Sequence, residues 1–220
     1  MPAKERYIQV ASEVADTCVR AGRASEEVTV VAVSKTVGSE EVASAIEGGA
    51  QNFGENRPDQ LMQKADRFTG ASWHFIGNIQ SRRIRDIVGR AVLIHSLFEE
   101  RHARKIDEIA RERNLVQDVL IEVNVSGEAS KSGLPPADVR SMLETCETLP
   151  NLQVRGLMTM APLGDMQAAR AAFSGLRNLR DDLQPDFPQL VELSMGMTDD
   201  WPIAVEEGAT IVRIGRAIFQ

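Results

Sequence analysis

Several features are scarce in this chain, and each scarcity excludes a class of protein. Only two cysteines occur among the 220 residues, Cys18 and Cys146, far apart and without metal-ligand spacing, which excludes a disulfide framework and indicates a reducing compartment. No run of about eighteen apolar residues is present, so no transmembrane helix is predicted. The formal net charge of −7 leaves no basic field that would hold nucleic acid or an anionic membrane. We therefore expect a cytoplasmic protein that binds neither.

The chain does contain a regular alternation of helix and strand patterns. An amphipathic helix from about Lys4 to Arg20 is followed by eight apolar strand patterns with helical patterns between them, joined by short connections. The strand patterns cover residues 28–34, 51–55, 73–77, 92–96, 119–124, 153–158, 190–194 and 210–214. This order favours a single (β/α)8 TIM barrel domain over residues 1–220 with an extra N-terminal helix. A doubly wound open sheet is the alternative, although the first strand is not followed by a GxGxxG turn.

Lysine is scarce as well, and one lysine stands apart from the other four. Lys4, Lys64 and Lys105 lie in polar helical patterns, where solvent exposure is expected. Lys35 instead ends the buried first strand. Burial lowers the pKa of an amine and leaves it nucleophilic toward an aldehyde, as a Schiff base requires. The alternative is a solvated strand end without chemistry.

The ends of the seventh and eighth strands have the composition of an anion site. Ser194 and Gly196 precede a helix, and Gly215 and Arg216 follow the eighth strand. In (β/α)8 barrels, phosphates often bind at these two loops, through backbone N–H groups and helix N-termini. The alternative is a glycine turn with core methionines. We assign the two aspartates at 199–200 to helix capping, because carboxylates repel phosphate.

Arg213 lies within an otherwise apolar strand, so its charge is expected to be buried beside an acceptor. A ring nitrogen of a ligand is one such acceptor. An internal ion pair with a strand-end carboxylate such as Glu192 or Glu55 is the other.

Taken together, the strand ends resemble a known family, the pyridoxal phosphate homeostasis proteins (the YggS/PROSC family), over almost the whole chain. The motifs that carry the resemblance are Val-Ala-Val-Ser-Lys35, Phe-Gly-Glu-Asn56, Trp-His-Phe-Ile-Gly77, Asn-Val-Ser-Gly-Glu-Ala-Ser-Lys131-Ser-Gly, Gly-Leu-Met-Thr-Met160, Leu-Ser-Met-Gly-Met197 and Val-Arg-Ile-Gly215. The resemblance implies a barrel like the N-terminal domain of alanine racemase, as in the type III pyridoxal phosphate (PLP) enzymes. It also implies that the chain binds PLP without established catalytic turnover.

The resemblance further implies a role for individual residues. Lys35 would form the covalent aldimine with PLP, and Arg213 would face the pyridine nitrogen. A guanidinium donor keeps that nitrogen unprotonated and weakens the ring as an electron sink. The remaining cofactor-binding residues implied are Asn56 near the ring hydroxyl, His74 and Met158 as walls, and Ser194, Gly196 and Gly215 around the phosphate. His74 has a second interpretation, a satisfied core histidine.

Several positions depart from the family pattern. Arg82 and Arg83 stand where the family commonly ends a Gln-x-Asn-Lys segment, and Arg216 replaces the usual threonine. A guanidinium at position 216 is able to clamp a phosphate directly. Arg57-Pro58-Asp59 also replaces the usual aromatic after Asn56. These changes bear on phosphate affinity.

Three functions remain open on this evidence. The first is a monomeric PLP carrier or buffer in vitamin B6 homeostasis, with apo PLP-dependent enzymes as recipients. The second is a PLP-dependent amino-acid racemase, which needs a second acid/base, typically a tyrosine; the only tyrosine is Tyr7 in the leading helix. The third is a cofactor-free barrel that binds a sugar phosphate. Lys131 lies in a polar segment that predicts an exposed turn, and the resemblance adds a secondary PLP contact or transfer role.

Overall fold

The computed structural model describes residues 1–128 and 130–220, and Ala129, within the Lys131 motif, lies outside the described residues. Eight parallel strands form a closed barrel in the order β1 to β8, with β8 paired back to β1. The strands are β1 (Thr29–Val33), β2 (Asn52–Glu55), β3 (Ser72–Phe75), β4 (Leu93–Leu97), β5 (Gln117–Glu122), β6 (Leu152–Met158), β7 (Glu192–Ser194) and β8 (Ile211–Ile214). The predicted barrel is confirmed, and the open sheet is excluded.

The α-helices up to the eighth strand follow the order that the sequence predicts, and the short helix after that strand was not predicted. They are α1 (Ala3–Arg20), α2 (Ser39–Glu47), α3 (Pro58–Arg67), α4 (Ile84–Ile87), α5 (Glu100–Glu112), α6 (Val139–Glu147), α7 (Met166–Leu183), α8 (Trp201–Glu206) and α9 (Arg216–Phe219). Short 3₁₀ turns lie at Ser25–Glu27, between α1 and β1, and at Ser81–Arg83 and Pro136–Asp138, where they replace the beginnings of predicted helices. Between the third and fourth strands the sequence predicts a helix from about Ser81 to Val88, and the structure shows only one α-helical turn, α4, after a 3₁₀ turn.

Most of the hydrophobic core lies between the barrel and its surrounding helices, as expected when both faces of a parallel sheet are covered. A smaller cluster fills the inside of the barrel and consists of Val31, Leu93, Leu120, Met158 and Ile211, with Met160 packed against it. These side chains close the barrel interior, so the barrel is a packed core rather than a channel.

One prediction of solvent exposure is wrong. Lys64 on α3 is only 2% exposed, and its ammonium donates to Glu55 Oε1 at 2.6 Å and to the Ser34 carbonyl oxygen at 2.8 Å. The Ser34 hydroxyl donates to the same carboxylate oxygen at 2.7 Å. A buried ammonium is tolerated because these acceptors replace its hydration. We call Ser34, Glu55 and Lys64 the β1 clamp, since they fix the end of β1 directly before Lys35.

Candidate functional site

The residues predicted to act together lie at the carboxyl end of the barrel. β1 ends at Val33, and Lys35 follows in a turn with an exposed side chain. The expectation of a desolvated amine is therefore wrong for this structure, because the turn carries Lys35 beyond the packed layer. Lys35 lies two residues after Val33, at the rim of the barrel, which we define as the loops at its carboxyl end. The amine is therefore accessible to a ligand in the opening that these loops surround, which we call the mouth.

Arg213 is buried as predicted, with 5% of its surface exposed. It pairs with Val31 across the β1–β8 ladder. Its guanidinium donates from Nη1 to Ser194 Oγ at 2.6 Å and from Nη2 to the Thr159 carbonyl oxygen at 3.0 Å. Among the described residues these are its only side-chain hydrogen bonds, so they engage two of the five N–H groups.

The predicted ion-pair partners of Arg213 are wrong. Glu55 pairs with Lys64, and Glu192 accepts a hydrogen bond from Thr210. Burial lowers the pKa of Arg213 to about 10, and the charges of Asp200 and Glu122 oppose this shift. A guanidinium remains protonated at that value near neutral pH, so a buried positive charge lies below the mouth of the barrel.

The predicted phosphate contact of the Ser194 hydroxyl is not supported by its position. Ser194 is fully buried, and its Oγ accepts from Arg213 and lies 2.8 Å from His95 Nδ1. Ser194 therefore belongs to the barrel interior. The nearby Thr198 is half-buried in the loop after β7, and its side chain makes no hydrogen bond among the described residues. Thr198 is thus the hydroxyl of this loop that is left for a ligand.

Both predicted glycines stand where an added side chain would be crowded, with a clash at Gly196 and a tight contact at Gly215. Gly196 has φ +91°, and an added Cβ would lie 2.5 Å from the Cβ of Ala204. At Gly215 an added Cβ would lie 3.2 Å from the Val33 carbonyl oxygen. The loop after β7 therefore packs closely on α8, and the end of β8 packs closely on the end of β1, near Lys35. Within the described residues, backbone N–H groups with no protein acceptor include those of Gly196, Thr198, Gly215 and Arg216.

Arg216 is exposed and forms an ion pair with Asp199, which is also exposed. A direct phosphate clamp therefore requires Arg216 to exchange Asp199 for the phosphate. The capping assignment is wrong for Asp199 and correct in part for Asp200, which is the N-cap of α8 and accepts from the Met197 N–H at 2.6 Å. Burial raises the pKa of Asp200.

The other predicted contacts divide between rim and interior. Asn56 is exposed after β2, beside Gly77, where a Cβ would lie 2.1 Å from the Asn56 carbonyl oxygen. Met158 is buried in the inner cluster. His74 is buried with both ring nitrogens engaged, Nδ1 to His95 at 2.9 Å and Nε2 to Asn52 Oδ1 at 3.2 Å. The core interpretation of His74 is therefore the one that the structure supports.

The structure also shows the surroundings of two arginines and one lysine that the sequence singled out. Arg83 pairs with Asp59 and Asp86, whereas Arg82 is exposed. Lys131 is half-buried rather than exposed, because its ammonium, in the segment after β5, donates to the Ala161 carbonyl oxygen in the neighbouring segment after β6 at 3.3 Å.

Sequence reasoning missed two interior groups near Arg213. His95 is fully buried in β4, and Glu122 in β5 is 2% exposed. The Ser132 hydroxyl donates to Glu122 Oε1, while Oε2 has no partner among the described residues. Burial raises the pKa of Glu122. The available signal was a polar residue inside each apolar strand pattern, the same signal that identified Arg213.

Two cavities lie at the opposite, amino-terminal end of the barrel. The first has a volume of about 270 Å³ and is lined by residues of α1, the start of β1 and Asn52. Among the described residues, no cluster of three or more His, Cys, Asp or Glu side chains has the arrangement of a metal site. No helix in the described part of the chain is long and apolar enough to cross a membrane.

Comparison with known proteins gives the family. The sequence model of the alanine racemase N-terminal domain matches residues 14–220. The pyridoxal phosphate homeostasis protein of Aquifex aeolicus is 41% identical over 223 residues, which cover 100% of this chain and 98% of the relative. This chain belongs to the pyridoxal phosphate homeostasis protein family. The family member of Escherichia coli K12 is 35% identical, over 96% of this chain and 93% of the relative.

Two solved structures of other proteins have the same fold. PipY of Synechococcus elongatus, solved with PLP bound, superposes with a TM-score of 0.86 at 33% identity, over 99% of this chain and 100% of that chain. Alanine racemase of Clostridium difficile 630 superposes with a TM-score of 0.76 at 14% identity, over 95% of this chain and 56% of that chain. The second likeness shows the barrel fold alone.

Proposed function

We propose that this protein binds PLP at the carboxyl end of the barrel and takes part in PLP homeostasis as a carrier or buffer. The observation that carries the proposal is an accessible lysine, Lys35, at the same rim as the buried guanidinium of Arg213 and two glycine loops. An amine, a donor for a ring nitrogen and free N–H groups for a phosphate are the three groups that PLP requires. The PLP-bound PipY relative supports the same assignment.

In this proposal each residue has a separate task. Lys35 attaches the cofactor through its Nζ, which condenses with the aldehyde carbon with loss of water. Arg213 donates to the pyridine nitrogen, and the backbone around Gly196 and Gly215, with Thr198, holds the phosphate. Asn56 lies on the rim for the ring hydroxyl. PLP supplies a reactive aldehyde on an electron-withdrawing ring when it is bound.

We further propose that the protein has no catalytic turnover. A two-base racemase needs an acid/base opposite the lysine, and the one tyrosine, Tyr7, lines the cavity at the amino-terminal end of the barrel instead. Residues 1–220 then act as one PLP-binding domain, a cytoplasmic monomer that supplies apo PLP-dependent enzymes. Lys131, whose ammonium joins the segments after β5 and β6, is proposed as a secondary contact during release.

The test is a visible spectrum of the purified protein with and without PLP, followed by borohydride reduction and peptide mass spectrometry. We expect a visible band with added PLP, and reduction should leave the cofactor attached to Lys35. Lys35→Ala should abolish both the band and the attachment. Lys105→Ala on α5 is the matched control and should keep the band. Attachment at another lysine, or no band with added PLP, would contradict the proposal. Steady racemisation of amino acids that Lys35→Ala abolishes would overturn the absence of turnover.

A further inference from the structure

A chain of polar side chains crosses the interior of the barrel from β2 to β8. We call it the interior chain, and its members are Asn52, His74, His95, Ser194 and Arg213. Consecutive members are joined by contacts of 3.2, 2.9, 2.8 and 2.6 Å. The interior chain begins at Asn52, which lines the cavity at the amino-terminal end of the barrel, and ends at Arg213 below the mouth. It therefore connects the two ends of the barrel through four strands besides β8.

The two histidines of the interior chain, His74 and His95, are neutral. Burial lowers the pKa of His74 to about 4, and burial, with the nearby His74 ring and the positive charge of Arg213, holds the pKa of His95 well below its usual range. The ring centroids lie 5.1 Å apart. A neutral imidazole has one donor nitrogen and one acceptor nitrogen, so each ring must transmit a fixed hydrogen-bond direction.

The two end members of the interior chain, Arg213 and Asn52, determine the direction of its hydrogen bonds. Arg213 is only a donor, so Ser194 Oγ accepts from it. Asn52 Oδ1 is only an acceptor, so His74 Nε2 carries the proton and His74 Nδ1 accepts. His95 Nε2 then donates to His74, and His95 Nδ1 accepts from the Ser194 hydroxyl. Every contact has one donor and one acceptor, and all point from Arg213 toward Asn52.

We propose that the interior chain holds the Arg213 guanidinium in the orientation that serves the cofactor's pyridine nitrogen, which makes His95 and His74 positioning residues. The inference rests on the proposed function. A long guanidinium side chain has many rotamers, and fixing it before binding reduces the entropy lost on binding. Thr159, directly after β6, accepts from Nη2 through its carbonyl oxygen, so Ser194 and Thr159 together fix the guanidinium plane. The interior chain in turn fixes Ser194.

The first test needs no cofactor and therefore stands apart from the proposed function. The sequence contains three histidines, and the third, His102, lies outside the chain, bonded to Ser81 Oγ at 3.0 Å. Nitrogen-15 NMR of the histidine rings at neutral pH should show His74 and His95 both as the Nε2–H tautomer. A Nδ1–H tautomer at either residue, or exchange between tautomers, would overturn the inferred direction of the hydrogen bonds in the interior chain.

The second test measures PLP affinity in variants that cut the chain or keep it. His95→Leu removes both contacts and should raise the Kd for PLP about tenfold, equivalent to about 1.4 kcal/mol. His95→Gln offers one acceptor and one donor, as the neutral ring does, and should remain within about threefold of the wild type. His102→Leu is the matched control and should leave the Kd unchanged. Each variant is first checked for folding by circular dichroism.

The spectrum of bound PLP gives an independent signature. When Arg213 is no longer fixed, the environment of the pyridine nitrogen changes, so the visible band should shift in His95→Leu and in Asn52→Leu but not in His102→Leu. An unchanged Kd and band in His95→Leu would overturn the positioning role. The positioning role would also be overturned if His95→Gln lost as much PLP affinity as His95→Leu. If the wild type binds no PLP, the proposed function fails, while the tautomer result remains valid.

Discussion

The β1 clamp makes a strong prediction about stability. Replacing Lys64 by methionine keeps most of the side-chain volume but removes the ammonium that contacts Glu55 and the Ser34 carbonyl oxygen. Glu55 is then left 0% exposed, with Oε2 already unpartnered among the described residues and one hydroxyl as its donor. Removal of one partner from a buried ion pair costs about 3–5 kcal/mol, because the other charge stays desolvated and uncompensated. We expect Lys64→Met to lose that amount of unfolding free energy.

The double variant separates the pair from its parts. Glu55→Gln with Lys64→Met leaves no buried charge, and the replacement of a buried pair by neutral groups is often nearly neutral, so the double variant should be more stable than Lys64→Met alone. Lys105→Met is the matched control, because its pair with Glu108 is exposed and such pairs contribute about 0–1 kcal/mol.

The measurement is urea unfolding followed by circular dichroism, with all four proteins compared at the same pH. In a chain of this length 3–5 kcal/mol corresponds to a fall in Tm of roughly 10 °C. A loss below about 1 kcal/mol in Lys64→Met, or a double variant no more stable than the single, would refute the reasoning. Loss of the clamp should also weaken PLP attachment, since Ser34 directly precedes Lys35.

Three further predictions follow from single residues. Gly196→Ala places a Cβ at φ +91° and 2.5 Å from the Cβ of Ala204, so unfolding free energy should fall by about 2–4 kcal/mol, and an unchanged urea midpoint would contradict this. The pKa of His74 is about 4 when folded and 6.5 unfolded, so the unfolded chain binds the proton first and stability should fall by about 3 kcal/mol between pH 6.5 and pH 4. Urea titrations should show this slope and show it reduced in His74→Gln; equal slopes would refute it. Asp199→Asn frees Arg216 and removes a negative charge from the rim, so the Kd for PLP should fall severalfold at low salt, and a rise would contradict the competition between Asp199 and phosphate.

The barrel itself was predictable because its signal is repeated. Each strand is an apolar run buried on both faces, and each helix has its own periodicity, so an error of one or two residues at an end does not alter the order. The predicted start at Val28 and the observed start of β1 at Thr29 differ in this way. Which strand ends meet also follows, because all strands of a parallel barrel end at the same face.

The interior of the site was less predictable because sequence does not show which face of a strand end a polar group occupies. Ser194 was expected to hold a phosphate, but it ends β7 with its hydroxyl inside the barrel. Lys64 was expected to be exposed, since a helical pattern with many charges does not reveal which one packs against a strand. His95 was missed because its partners, Ser194 and His74, are distant in sequence and adjacent only after the barrel closes.

Closure of the barrel also restricts how a recipient can recognise this protein. Because β8 pairs with β1, the sheet formed by the described residues has no edge strand with free backbone N–H and C=O groups. Recognition by addition of a strand, in which the partner reads mainly the backbone, is therefore unavailable to this barrel. Contact with another protein must use the side chains of helices and rim loops, which vary without loss of the fold. Partner choice in such a protein is thus a property that surface substitutions can alter independently of the barrel that holds the ligand.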